Sequence, residues 1–163
     1  MTFIPLPTGP GGEVKVGEVQ PPETKYTGPE AIIAAAQDFT ATWLELGAEI
    51  PTSGVTHLGV WLVLTIHDST DLRIRALAKH TSAGTDEYEI PIRVLSATDV
   101  KVQGGYIEFN VDADQKVILC VPLDGVVPFI QLQIEAGVLG VGTDAHVDSA
   151  YTTKAWAGAG GGF

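Results

Sequence analysis

Three cations stand on alternating positions of "LRIRALAKH": Arg73, Arg75 and Lys79, in a chain with only nine lysines and arginines. In an extended strand successive side chains point to opposite faces, so these three share a face with Leu77 while Leu72, Ile74, Ala76 and Ala78 share the other. A basic row of this kind can meet a phosphate backbone, an anionic substrate or acidic neighbours in its own sheet. With 20 acidic residues and a formal net charge of −11, most of the surface repels phosphate, and no nucleic-acid partner is expected. Acidic residues alternate in the same way in "DEYEIPI", through Glu87 and Glu89, and in "YIEFNVD", through Glu108 and Asp112. The expected role of the row is therefore cross-strand pairing, at about 0.2–1 kcal/mol per pair.

Hard oxygen ligands cluster in "HDSTD" and "NVDADQ", where Asp68 and Asp71, and Asp112 and Asp114, could serve calcium. Neither run has the glycine and glutamate of a twelve-residue EF-hand loop, and aspartates in turns ordinarily cap backbone amides. Turn capping is the expectation, and no metal ligand is assigned. His57, His67, His80 and His146 lie in separate segments without a metal-binding spacing. There is no G-x-S-x-G elbow and no phosphate-cradling glycine loop, because the glycines of "AGAGGGF" open no helix. Carboxylate pairs for glycoside hydrolysis would have to assemble across strands, and no pattern singles one out. Cys120, the one cysteine, excludes an intrachain disulfide and sits in "KVILCVPL" as a small buried hydrophobe. No catalytic, cofactor-binding or metal residue is assigned, and the chain is not expected to be an enzyme.

The elements that must position these side chains are strands. "DFTATWLELGAEI", "GVWLVLTIH", "LRIRALAKH", "YEIPIRVL", "YIEFNVD", "KVILCVPL", "FIQLQIEAG" and "VDSAYTTKAW" are rich in β-branched and aromatic residues and are separated by turn signals such as "PTSG", "TSAGTDE" and "GVGTDA". Many short strands without repeated helices predict an all-β fold, an antiparallel β-sandwich of jelly-roll type with about eight strands. "EAIIAAAQ" reads equally as a short helix or a strand. In "FIQLQIEA", Ile130, Leu132, Ile134 and Ala136 oppose Gln131, Gln133 and Glu135, the pattern of a half-buried strand. "VWLVLTI" differs, since Trp61 and Val63 leave its second face apolar too; it is either a central strand covered on both sides or part of a subunit contact. Trp43 and Trp61 read as core or interface anchors, and Trp156 as a residue that docks on another chain.

Residues 1–30 hold six of the ten prolines, which predicts an extended arm, followed by a sandwich domain over 31–156 and a Gly-rich tail over 157–163. The start of the sequence has neither the basic opening nor the apolar run of a secretory signal, and no run approaches the roughly 18 apolar residues of a membrane-spanning helix.

Over residues 56–156, through "LRIRALAKHTSAGTDEYEIPI", "YIEFNVDADQKVILCVPLDGVVPFIQLQIEAG" and "HVDSAYTTKAW", the chain resembles small β-sandwich structural proteins of tailed bacteriophages. The resemblance is one of fold pattern and carries no functional residue across. It implies a virion component, either a capsid decoration protein or a head or tail connector, without saying which. Arms at both ends, an acidic body, a strand apolar on both faces and no evident active site favour a homo-oligomeric capsid decoration or cement subunit partnered with a major capsid or other virion protein, with a neck or tail component as the alternative. A carbohydrate-binding module of a fibre or surface protein is the alternative from a different class, with Trp156 or Tyr106 as the stacking aromatic.

Overall fold

The computed structural model describes residues 24–66, 70–109, 114–138 and 145–157. The first 23 residues of the expected arm, the tail from Gly158, and Asp68 and Asp112 of the acidic turns lie outside the described residues.

Thirteen strands and no helix form the described chain: β1 (Thr24–Ala31), β2 (Gln37–Asp38), β3 (Leu44–Glu45), β4 (Ile50–Pro51), β5 (Val55–Thr65), β6 (Thr70–Lys79), β7 (Tyr88–Ile90), β8 (Arg93–Ser96), β9 (Val100–Gln103), β10 (Tyr106–Phe109), β11 (Gln115–Pro122), β12 (Phe129–Val138) and β13 (His146–Ala157). They make two antiparallel sheets. Sheet A runs β1-β13-β5-β11-β8, with β2 also on β13; sheet B runs β3-β12-β6-β10-β9, with β4 also on β12 and β7 on β6. The pairs are nested about the β6–β10 connection: β6 with β10, β5 with β11, β3 and β4 with β12, β1 with β13. A long antiparallel ribbon folded over on itself gives this order, which is that of a jelly-roll sandwich.

Alternation drives the assembly. Leu58, Val60, Leu62 and Leu64 of β5 face Leu72, Ile74 and Ala76 of β6 and Ile130, Leu132 and Ile134 of β12 within one buried cluster that also holds Phe39 and Phe109. Each leucine, isoleucine, valine or phenylalanine among them contributes about 1.5–3 kcal/mol on leaving water, and together they fix which face of every strand points inward.

Four local expectations change. "EAIIAAAQ" is neither a helix nor a strand throughout: Glu30 and Ala31 close β1, Gln37 opens β2, and the Ile32 N–H donates to the Ala150 carbonyl at 3.0 Å. "DFTATWLELGAEI" breaks into short pieces because the chain crosses there from β13 in sheet A to β12 in sheet B. "YEIPIRVL" likewise divides at Pro91, with β7 on β6 and β8 on β11. Residues 24–30, read as the end of the arm, belong to β1, an edge strand that pairs with β13 on both sides of an irregularity at Gly28 and Pro29.

Candidate functional site

The outer face of sheet B settles the role of the basic row. Register places Arg73 between Glu108 of β10 and Glu135 of β12. Its Nε donates to Glu108 at 2.9 Å, and a terminal nitrogen lies 3.8 Å from Glu135. Arg75 donates to Gln133 through Nε at 2.9 Å and Nη2 at 2.7 Å, and to Glu89 at 3.0 Å, while its guanidinium carbon lies 4.3 Å from the centre of the Trp43 ring. Trp43 in turn meets Tyr106 edge-on at 6.0 Å, and Arg73 lies 5.5 Å over Tyr106. Glu108 holds the Arg73 guanidinium above its ordinary pKa. Lys79, only 6% exposed, sits 2.8 Å from Glu49. Their hydrogen bond raises the lysine and lowers the carboxylate, against the opposing cost of burial. Each cation is answered within the molecule, so the row organises the sheet.

The outer face of sheet A is of another kind. On β5 the outward positions are His57, Gly59, Trp61 and Val63, flanked by Thr153 of β13 on one side and Ile118 and Cys120 of β11 on the other. Gly59 pairs with Thr153 and with Cys120, and this row forms the floor of a groove of about 560 Å³. A side chain at 59 would not fit, since its Cβ would lie 2.4 Å from the Thr153 hydroxyl that accepts the Trp61 indole N–H at 3.1 Å. Tyr26 of β1, Trp61, Leu95 of β8 and Trp156 of β13 rise around the floor. Beyond Trp61 a second hollow of about 380 Å³ runs to Pro29 and Tyr151. Tyr26 is 75% exposed, Leu95 61%, Trp61 44% and Tyr151 41%.

None of the residues lining either hollow is acidic, in a chain where carboxylates outnumber cations twofold. Aromatic enrichment with charge depletion is the compositional mark of the core of a protein interface. Of the threonine hydroxyls in the groove, Thr56 donates to the Ala155 carbonyl at 2.9 Å and Thr153 accepts from Trp61. Cys120 is buried in the floor, and an Arg93 terminal nitrogen lies 3.4 Å from its Sγ.

Trp61 therefore does not serve the core of its own sandwich, and Trp43 is a platform for Arg75. Trp156 is tied to its own chain, donating its indole N–H to Thr27 at 3.2 Å and packing at the core margin. Tyr106 lies on the opposite face from the groove, within the Arg73 stack. Of the acidic turns, Asp114 accepts the Ile66 N–H at 2.9 Å, the capping role. Asp71 has φ of 58°, in the left-handed region that aspartate tolerates in turns. Among the described residues no three histidine, cysteine, aspartate or glutamate side chains come together as a metal site. At the far end of sheet A, His146 lies 3.1 Å from Asp148, which also accepts the Thr65 hydroxyl at 2.6 Å.

Sequence reasoning missed the groove because its walls come from β1, β5, β8 and β13. Two signals pointed to it: the apolar second face of "VWLVLTI", and Gly59 within a strand, a residue that marks close approach of another group. No protein-family model and no curated protein sequence matches the chain.

Proposed function

We propose that this chain is a virion structural protein, a capsid decoration or cement subunit that stabilises a shell as an oligomer, with the outer face of sheet A as its contact surface. The observation that carries the reading is the cluster of exposed Tyr26, Trp61, Leu95 and Tyr151 around two hollows free of carboxylates. An apolar, aromatic face on a strongly acidic molecule gains by being covered. The outer face of sheet B is of a different character among the described residues, because its cations and carboxylates satisfy one another across strands.

The full chain should sediment with empty shells assembled from the major capsid protein. Exposed aromatics at an interface centre contribute about 2 kcal/mol each, so Tyr26→Ala and Trp61→Ala should each weaken binding roughly 30-fold, the first without lowering the melting temperature because that ring is largely exposed. Equal binding by both variants would remove this face from the mechanism.

A glycan-binding module is the second reading, favoured by the aromatic walls of the same groove. Sugars gain from carboxylate partners beside their stacking ring, and the lining of these hollows holds none. Saturable binding to a glycan array, lost in Trp61→Ala, would favour that module over the shell subunit.

A further inference from the structure

We infer that the groove on sheet A is the seat of a short proline-rich segment, Phe3–Pro7, supplied by a neighbouring copy of this chain. The inference rests on the reading above that copies meet through this face, and it names what enters the groove.

The first argument is position. Thr24, where the described chain begins, pairs with Ala157, and Ala157 and Tyr26 both line the groove. The N-terminal residues therefore leave the sandwich at the rim of the groove. The second is reach. Sixteen residues separate Pro7 from Thr24, enough to span about 50 Å when extended, whereas the row β1-β13-β5-β11-β8 of sheet A is only about 20 Å across. The connection is long enough to cross to an adjoining copy. Pro21 and Pro22 stand just before β1, and adjacent prolines favour an extended course over a tight reversal onto the same molecule.

The third argument is chemical fit. "FIPLP" places Phe3, Ile4 and Leu6 between and beside Pro5 and Pro7, and outside the described residues it is the densest run of large apolar side chains. Proline-rich segments enter aromatic-walled grooves at low entropic cost, because their rings already hold the extended conformation. Tyr26 and Trp61 stand as the walls, Gly59 keeps the floor low, and the lining carries no carboxylate to be buried. The segment itself carries no charged side chain. Exchange of such segments around a closed ring of copies would link the subunits without a large flat interface.

The test is self-association of the full chain, followed by sedimentation equilibrium with no shell protein present. The wild type should associate reversibly. The double substitution Phe3→Ala with Leu6→Ala, and separately Trp61→Ala, should each weaken association roughly tenfold or more. Combining them should weaken it little further, because each removes one side of the same contact. A synthetic peptide of residues 1–10 should compete. Tyr26→Ala provides a second groove variant with little consequence for folding, since that ring is largely exposed. A monomeric wild type at all concentrations, or association unmoved by Phe3→Ala with Leu6→Ala, overturns the inference. Association lost only in the groove variants does so too, and assigns the face to direct pairing of two sheets. A chain that associates through Phe3–Pro7 and ignores shells would sink the shell reading alone, while shell binding with association insensitive to the segment would sink this inference alone.

Discussion

Gly47→Ala is expected to lower the stability of the sandwich by roughly 3 kcal/mol or more. Gly47 has φ of 70°, and a Cβ there would stand 2.2 Å from the Ile32 carbonyl oxygen and 2.9 Å from its carbon. The left-handed conformation alone costs a non-glycine residue about 1–2 kcal/mol. The collision adds to this because the obstacle is backbone, which yields only by moving its own connections. Ile32 donates to Ala150 of β13 at 3.0 Å. Gly47 itself donates to the Gln37 side chain at 3.2 Å and accepts from buried Gln131 at 3.2 Å. Displacement would therefore disturb both sheets where the chain passes between them. Gly104→Ala is the control, since a Cβ there meets nothing within 4 Å. Denaturant unfolding of the two variants should give a large loss for the first and a change within about 0.5 kcal/mol for the second. Equal losses would contradict the account of Gly47.

Lys79→Ala should cost about 2–3 kcal/mol, because it strips a charge-assisted hydrogen bond from a half-enclosed carboxylate. Glu49 also accepts from the Ser82 hydroxyl at 2.9 Å and from the Ala83 N–H at 3.1 Å, so it ties the turn after β6, in which Ala83 has φ of 56°, back to the sheet. Lys79→Met keeps the apolar stem and should cost less.

The pair also sets a pH profile. Glu49 is lowered from 4.5, chiefly by its bond to Lys79, so its contribution is present above pH 4.5 and is lost as pH falls through the lowered value. Lys79 is raised from 10.5, chiefly by its bond to Glu49, so its contribution is present below pH 10.5 and is lost as pH rises through the raised value. Stability from this pair should be flat between those limits and decline at both ends. In Lys79→Met the alkaline decline due to the lysine should vanish and the acid one should shrink, since Ser82 and Ala83 still favour the ionised carboxylate.

Much of this architecture is legible in the residues. The alternation in "FIQLQIEA" gives the two faces of β12 directly, and Gln131, Gln133 and Glu135 all stand on the outer side. The pairing of the basic row follows from the matching alternation of Glu89 and Glu108, although Glu49 and Glu135 could be matched to their cations only once register was known. β1 was not legible, because Thr24–Ala31 contains Gly28 and Pro29 and has no inward apolar row. It is held by backbone pairing with β13, a long-range bond that local sequence does not encode. β9 was missed for a related reason: "VKVQ" is short and Val102 points outward, so it lacks the half-buried pattern. The splitting of residues 38–50 reflects a crossing between sheets, and the groove is a product of topology in the same sense. Its aromatic walls are far apart in sequence and come together only when β1, β5, β8 and β13 take their places.

The most direct test of the proposed role is the copy number of this chain in gradient-purified virus particles, measured by quantitative mass spectrometry against the major shell protein. A decoration or cement subunit predicts a ratio within a few-fold of one. A ratio of a few per cent would contradict that role and place the chain in the neck or tail, and absence from the particles would contradict a virion role altogether.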